Sequence, residues 1–202
     1  MKKTLVLHPD NRSTRFLSEI YRDKGYTVVT RWDIGGLALM AMIETHDRIL
    51  FLGHGSPCGL HGFESIFMNP KFIELLQTKD AVCIWCNSDK YVIPNNIKGF
   101  YTGMFLSEVS EAKYFNIDAT QDVIDHSNEL FAQEMRRCLD SDNLLTEIKD
   151  SYTGNDPVIQ FNNDRLYYYD GNYDNDRLYY YDGNYDSDEW DKFQQLLNFV
   201  PL

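Results

Sequence analysis

Long apolar runs, positive charge and cysteine are all scarce in this sequence. No stretch approaches the roughly 18 apolar residues of a membrane-spanning helix, so no helical membrane span is expected. Lys and Arg number 19 against 31 Asp and Glu, a formal net charge of -12. A phosphate backbone is held by Lys and Arg, so a nucleic-acid partner is excluded on charge grounds. The start, Met1-Lys2-Lys3, imitates the basic opening of a signal peptide, but the apolar run after it stops at His8-Pro9-Asp10. A cytoplasmic location is therefore expected. The four cysteines, Cys58, Cys83, Cys86 and Cys138, are then thiols in a reducing compartment. What is present suffices for a packed core, since 43% of the 202 residues are hydrophobic.

Periodicity orders the first half of the chain. Thr4 to Pro9 reads as a short buried strand, followed by a helix from Asn11-Arg12-Ser13-Thr14 to about Lys24 with Phe16, Leu17, Ile20 and Tyr21 at helical spacing. Tyr26 to Thr30 is β-branched and reads as strand. Asp33 is positioned to cap a second helix, Ile34 to Thr45, apolar over most of its surface and so expected to be well buried. Arg48 to Gly53 is a third strand, Ser56 to Asn69 an irregular glycine-rich loop, Pro70 to Thr78 a third helix and Ala81 to Cys86 a fourth strand. Such alternation implies an α/β three-layer sandwich with a mostly parallel sheet. Right-handed crossovers give strand order 2-1-3-4.

In that order the third and fourth strands are neighbours, and ligands of such sheets bind beyond the strands' carboxyl ends. The third strand runs into Gly53-His54-Gly55-Ser56 and the fourth into Cys86-Asn87. A cysteine nucleophile needs a base within reach, and a histidine supplies one. An apolar strand ending in His-Gly, then a helix, then an apolar strand ending in Cys resembles the caspase-like cysteine peptidases. The likeness spans about Thr4 to Asn87. It implies His54 as general base, Cys86 as nucleophile, and the backbone N–H groups of Gly55 and Cys86 as an oxyanion hole, acting on a peptide or protein substrate without metal or cofactor. Trp85 stands where that family usually has a small residue, and Asn87-Ser88-Asp89 where a glycine commonly follows.

Other residues are expected to line the same edge: Ser56, Cys58 and His61 in the loop after His54, Asn87 and Asp89 after Cys86, and Asn11 or Ser13 after the first strand. Asp89 is a candidate receiver of a basic side chain and also suits a helix cap. Cys83-x2-Cys86 with His54, Cys58 and His61 superficially offers a zinc set. The odd spacing of the two cysteines along a strand puts them on opposite sheet faces, which disfavours that reading. Ser107-Glu108-x2-Glu111 reads as solvated surface. The rival to a peptidase is a non-catalytic caspase-like module, or a small-molecule or nucleotide-binding one, using the same edge.

Beyond Cys86, Gly99 to Phe105 reads as a fifth strand, Ser107 to Tyr114 as a short helix, Asp118 or Thr120 to about Leu139 as a long helix and Leu144 to Tyr152 as another. The texture changes at Asp156-Pro157, dividing an α/β domain (1–155) from an appendage (156–202) expected to dock on it. The appendage carries a tandem repeat: residues 163–174 recur identically at 175–186, each copy a strand and an Asp-Gly turn. This suggests a C-terminal β-hairpin, and Asp186 to Leu197 a final helix.

Overall fold

Runs of four or five apolar residues, too short for helices, build the sheet. The computed structural model describes residues 2–31 and 33–172. Strands β1 (Thr4–Leu7), β2 (Thr27–Val29) and β3 (Arg48–Leu52) precede a small hairpin, β4 (Gly55–Ser56) and β5 (Gly59–Leu60). Strands β6 (Asp80–Ile84), β7 (Gly99–Thr102) and β8 (Leu166–Tyr169) complete the set. The main sheet has six strands in the order β2-β1-β3-β6-β7-β8. All its pairings are parallel except β7 with β8. The expected order 2-1-3-4 is thus its first two-thirds.

Alternate residues of the strands feed two cores, as the period-2 geometry of a strand requires. Leu5, Leu7, Ile49, Phe51, Cys83 and Trp85 face one side. There they meet α1 (Gly36–Glu44), α2 (Glu64–Phe67), α3 (Pro70–Leu76) and α4 (Asp89–Val92) through Leu39, Ile43, Phe67, Phe72 and Tyr91. Val6, Leu50, Leu52, Val82 and Ile84 face the other side. They meet Leu17 and Ile20 of a 3-10 helix (Arg15–Tyr21), Phe131 and Met135 of α6 (Gln121–Cys138), Ile148 of α7 (Leu144–Ser151) and Ile159 of α8 (Pro157–Asp164). The protein is an α/β fold with helices on both faces of the sheet. Among the described residues no helix is long and apolar enough to cross a membrane.

Several expectations are corrected by the packing. The helix after β1 is 3-10, because its buried residues, Leu17 and Ile20, lie three apart and a 3.0-residue turn superposes them. Asp33 does not cap α1; its carboxylate pairs with Arg31, and the N-cap is Gly35. Helix α1 buries only Leu39 and Ile43 and leaves Leu37 exposed, so its apolar surface exceeds the one stripe the sheet covers. The segment 56–69 is not irregular, since it forms most of the β4–β5 hairpin and α2. Strand β7 stops at Thr102, and the buried Met104-Phe105-Leu106 that follows is extended connection.

The division expected after residue 155 falls instead after Gly171. Asp156 caps α8 through the Val158 N–H with Pro157 in the first turn, and β8 then pairs with β7. The first copy of the repeat therefore supplies an edge strand of the main sheet. The second copy, the expected hairpin's return strand and the C-terminal helix lie outside the described residues. Helix α8 also fixes the connection after β7. The fully buried Asn162 accepts from Leu106 N–H (2.7 Å) and donates to the Leu106 carbonyl (3.0 Å), replacing a missing ladder partner. Asn162→Ala leaves both backbone groups unpaired in the core and is expected to lower stability by about 2–3 kcal/mol, read as a reduced urea midpoint at unchanged m-value.

Candidate functional site

The register of β3 against β6 determines what meets at the carboxyl edge. Leu52 pairs with Ile84, and Gly53 N–H continues the ladder to the Ile84 carbonyl (3.1 Å). Two residues beyond the Leu52–Ile84 pair stand His54 on one strand end and Cys86 on the other. Both side chains make their contacts on the α6 side of the sheet. His54 Nε2 lies 2.6 Å from Ser13 Oγ, in the loop between β1 and the 3-10 helix, and the Cys86 thiol faces the Phe105 carbonyl (3.6 Å). Cys83 points into the opposite core, so the two cysteines of the C-x2-C pair diverge.

Trp85 locks the two strand ends together. Its ring is buried among Phe51, Phe67 and Tyr91, and its indole N–H donates to the Ser56 carbonyl (3.1 Å). The hairpin passes so close that a Cβ on Gly55 would lie 2.2 Å from Trp85 Cδ1. The bulky residue before the cysteine thus supports the His-Gly turn from beneath. On the other flank, the turn after β6 is sewn to β7. Asn87 is left-handed (φ 62°), a conformation Asn tolerates, and its N–H bonds the Gly103 carbonyl (3.2 Å). Ser88 Oγ lies 2.6 Å from the Thr102 carbonyl and accepts the Thr102 N–H (3.2 Å), while Thr102 Oγ1 donates to the Trp85 carbonyl (3.0 Å).

Two carboxylates close the site from α5 (Val109–Tyr114). Glu108 and Glu111 form a reciprocal capping box, which aims Glu111 back at the helix start. Glu111 accepts Ser107 N–H (2.7 Å) and Glu108 N–H (3.0 Å), and its other oxygen lies 4.0 Å from Cys86 Sγ. Glu108 Oε1 is 3.9 Å from His54 Nε2. The expectation that these glutamates are solvated surface is therefore overturned for Glu111, which is only 4% exposed. The Glu108-x2-Glu111 spacing signals a carboxylate turned back on the helix start, without identifying the neighbour beyond it.

Burial dominates the site's electrostatics. It pushes the Cys86 thiol well up from its ordinary value, and the carboxylate of Glu111 adds to the shift while the Phe105 carbonyl bond opposes it. It depresses His54, against Glu108 and with His61, so the imidazole is neutral at neutral pH. Glu111 is raised to about 7 by burial, with the Ser107 N–H bond opposing. His8, at the end of β1, is buried between Tyr21 OH (3.0 Å) and the Thr14 carbonyl (3.1 Å), and desolvation lowers it to about 4.

The remaining candidates divide. Asn11 holds Ser13 through its carboxamide oxygen (2.9 Å to N–H, 2.8 Å to Oγ). His61 gives its N–H to the His54 carbonyl (2.9 Å) and its ring to Glu64 (2.9 Å). Ser56 Oγ accepts Cys58 N–H (3.1 Å), and Cys58 is exposed at the hairpin tip. Asp89 opens α4 after the N-cap position at Ser88. The structure brings His54, Ser13, Glu108, Glu111 and Cys86 into one cluster, but no hydrogen bond joins His54 to Cys86.

Compared with known proteins, the chain matches no family model and no curated protein. A solved structure, the Trp repressor binding protein from Bacillus subtilis, is 12% identical, with 50% of this chain and 82% of that chain covered at a TM-score of 0.38. That degree of likeness carries no argument about family or function.

Gly55→Ala is expected to cost about 1–3 kcal/mol through overpacking on Trp85, and less in a Trp85→Leu background, a coupling that a double-mutant cycle in urea measures. The buried titrations oppose each other. His8 binds its proton more weakly folded than unfolded, so its contribution is present above pH 6.5 and lost as pH falls toward about 4. Glu111 binds its proton more tightly folded, so its penalty is absent below pH 4.5 and complete above about 7. Relative to wild type, Glu111→Gln should gain stability as pH rises from 4.5 to 7, and His8→Asn should gain as pH falls from 6.5 to 4. Each swing is about 3 kcal/mol, followed by urea denaturation across that range.

Proposed function

We propose that this protein is a caspase-like cysteine peptidase that hydrolyses peptide bonds with Cys86 as nucleophile and His54 as general base. The observation that carries the reading is the placement of both side chains just past the paired ends of the adjacent parallel strands β3 and β6, with their contacts on one face of the sheet. The strand order expected from right-handed crossovers, 2-1-3-4 with His-Gly and Cys at the ends of neighbouring strands, is that of the first four strands of the sheet and supports the reading. In the reaction, Cys86 turns from the Phe105 carbonyl toward the imidazole. Sulfur attacks the scissile carbonyl as its proton passes to His54. The same proton goes to the departing amine, and water then cleaves the thioester.

The backbone supports this chemistry. His61 N–H bonds the His54 carbonyl, so residues 54 and 61 are a hydrogen-bonded pair of the hairpin and Gly55 and Leu60 a non-hydrogen-bonded one. Gly55 N–H is thereby turned away from its partner strand, as an oxyanion donor must be. All four cysteines are unpaired, which fits a cytoplasmic site of action.

One observation favours the rival, a non-catalytic caspase-like or ligand-binding module. The Cys86 thiol is held beside the buried Glu111 carboxyl and raised by it, the reverse of an activated thiolate. Alkylation separates the two. In a Cys58→Ser background, which removes the exposed thiol, a peptidase should show Cys86 carboxamidomethylated by iodoacetamide faster than Cys83 and Cys138 by on the order of 10-fold or more. That preference should fall in His54→Ala, and hydrolysis of a fluorogenic peptide library should vanish in Cys86→Ala. Labelling of Cys86 no faster than that of the buried cysteines, or indifferent to His54, leaves the non-catalytic module.

A further inference from the structure

We infer that Asn11 and Ser13 lock His54 in the tautomer that carries its proton on Nε2, making Nδ1 the nitrogen that receives the Cys86 proton. The role assigned to Nδ1 rests on the peptidase reading; the lock itself does not. Hydrogen counting makes the assignment. Asn11 Oδ1 receives the Ser13 backbone N–H at 2.9 Å, which fixes that end of the carboxamide as oxygen, since the amide nitrogen there would oppose one N–H with another. Ser13 Oγ sits 2.8 Å from the same oxygen and 2.6 Å from His54 Nε2. A hydroxyl has one hydrogen. If it went to Nε2, two lone-pair oxygens would face each other at 2.8 Å with nothing between them. The arrangement with every contact satisfied has Ser13 O–H donating to Asn11 and His54 Nε2–H donating to Ser13.

Two conclusions follow for the chemistry. Ser13 lies within hydrogen-bond distance of the His54 ring and invites a serine-nucleophile reading, but its proton is already committed to Asn11 and its oxygen accepts from the imidazole. It is a positioning residue. Nδ1, which hydrogen-bonds none of the described residues, keeps its lone pair. As Cys86 attacks, the S–H bond breaks, the S–C bond forms and the proton moves to Nδ1. The imidazolium so formed still has Nε2–H on Ser13, with Glu108 Oε1 3.9 Å away to balance its charge. The lock is rigid because its loop is tied down on both sides, by His8 N–H to the Val29 carbonyl (2.9 Å), Asp10 N–H to the Thr30 carbonyl (3.2 Å) and the His8 ring to Thr14.

The test is a long-range proton–nitrogen correlation spectrum of the full chain with ring-labelled histidine at pH 8, the His54 signals identified by their loss in His54→Ala. A protonated Nε2 and a bare Nδ1 are expected. Ser13→Ala and Asn11→Ala should lose that bias, and Ser13→Thr, which restores the hydroxyl, should keep it. In peptide hydrolysis Ser13→Ala should lower kcat by on the order of 100-fold with KM little changed. A protonated Nδ1 in the wild type, or a tautomer unmoved by Ser13→Ala, overturns the lock. The expected spectrum with no peptide hydrolysis by the wild type overturns the peptidase reading and the role given to Nδ1, and leaves the lock standing.

Discussion

The contact between Trp85 and the Gly55-Ser56 backbone is the constraint from which the site's geometry follows. A strand pair ends wherever its hydrogen bonds end, and the residues beyond are free to splay. Here the indole fills the space beneath the His-Gly turn and fastens it by one bond to the Ser56 carbonyl. Burying a ring of that size contributes more than the hydrogen bond does, about 2–3 kcal/mol against about 1. The bond sets direction and the ring supplies the holding energy. Because Gly55 has no Cβ, the backbone of one strand end rests directly on the side chain of the other, next to His54 on one chain segment and Cys86 on the other.

A second set of constraints works from the far end of the chain. Asn162 clamps Leu106 as a strand would, and Gly103 N–H bonds the Arg165 carbonyl (2.9 Å). The connection carrying Phe105, Glu108 and Glu111 is thereby pinned between β7 and α8. Without those bonds the extended segment 103–106 would have buried backbone groups and no ladder. The carboxylates at the site are therefore positioned by residues after 155, and the segment that looks like an appendage is part of the site's support.

This explains what the sequence disclosed and what it hid. The parallel order was legible because Leu5-Val6-Leu7, Ile49-Leu50-Phe51-Leu52 and Ala81-Val82-Cys83-Ile84 are apolar without alternation, the mark of strands covered on both faces. The positions of His54 and Cys86 were legible because each follows such a run. The placement of Glu111 was not, because a capping box tells which backbone the carboxylate reaches but not which neighbour lies beyond it. Helix α8 announced itself with Asp156-Pro157, a cap and a first-turn proline, yet the duplication beginning at Asn163 drew it into a tail. The 3-10 character of the first helix was not legible, because Phe16, Leu17, Ile20 and Tyr21 satisfy both helical periods over so short a run.

Magnitudes decide how the cluster behaves chemically. A full charge on Glu111 at 4.0 Å from Cys86 Sγ is worth about 4 kcal/mol against a thiolate at the effective dielectric of partly buried sites. The bond from the thiol to the Phe105 carbonyl acts against the thiol's upward shift but is outweighed by burial and Glu111. Desolvation acts in the same direction on both partners, holding sulfur protonated and imidazole unprotonated. Burial therefore outweighs the Phe105 bond on the thiol and the Glu108 charge on the imidazole, and the balance opposes a thiolate–imidazolium pair at rest. Under the proposed function, proton transfer and carbon–sulfur bond formation must then be concerted. The base earns its role by keeping a lone pair available at the moment of attack, which is what a neutral, tautomerically locked His54 offers.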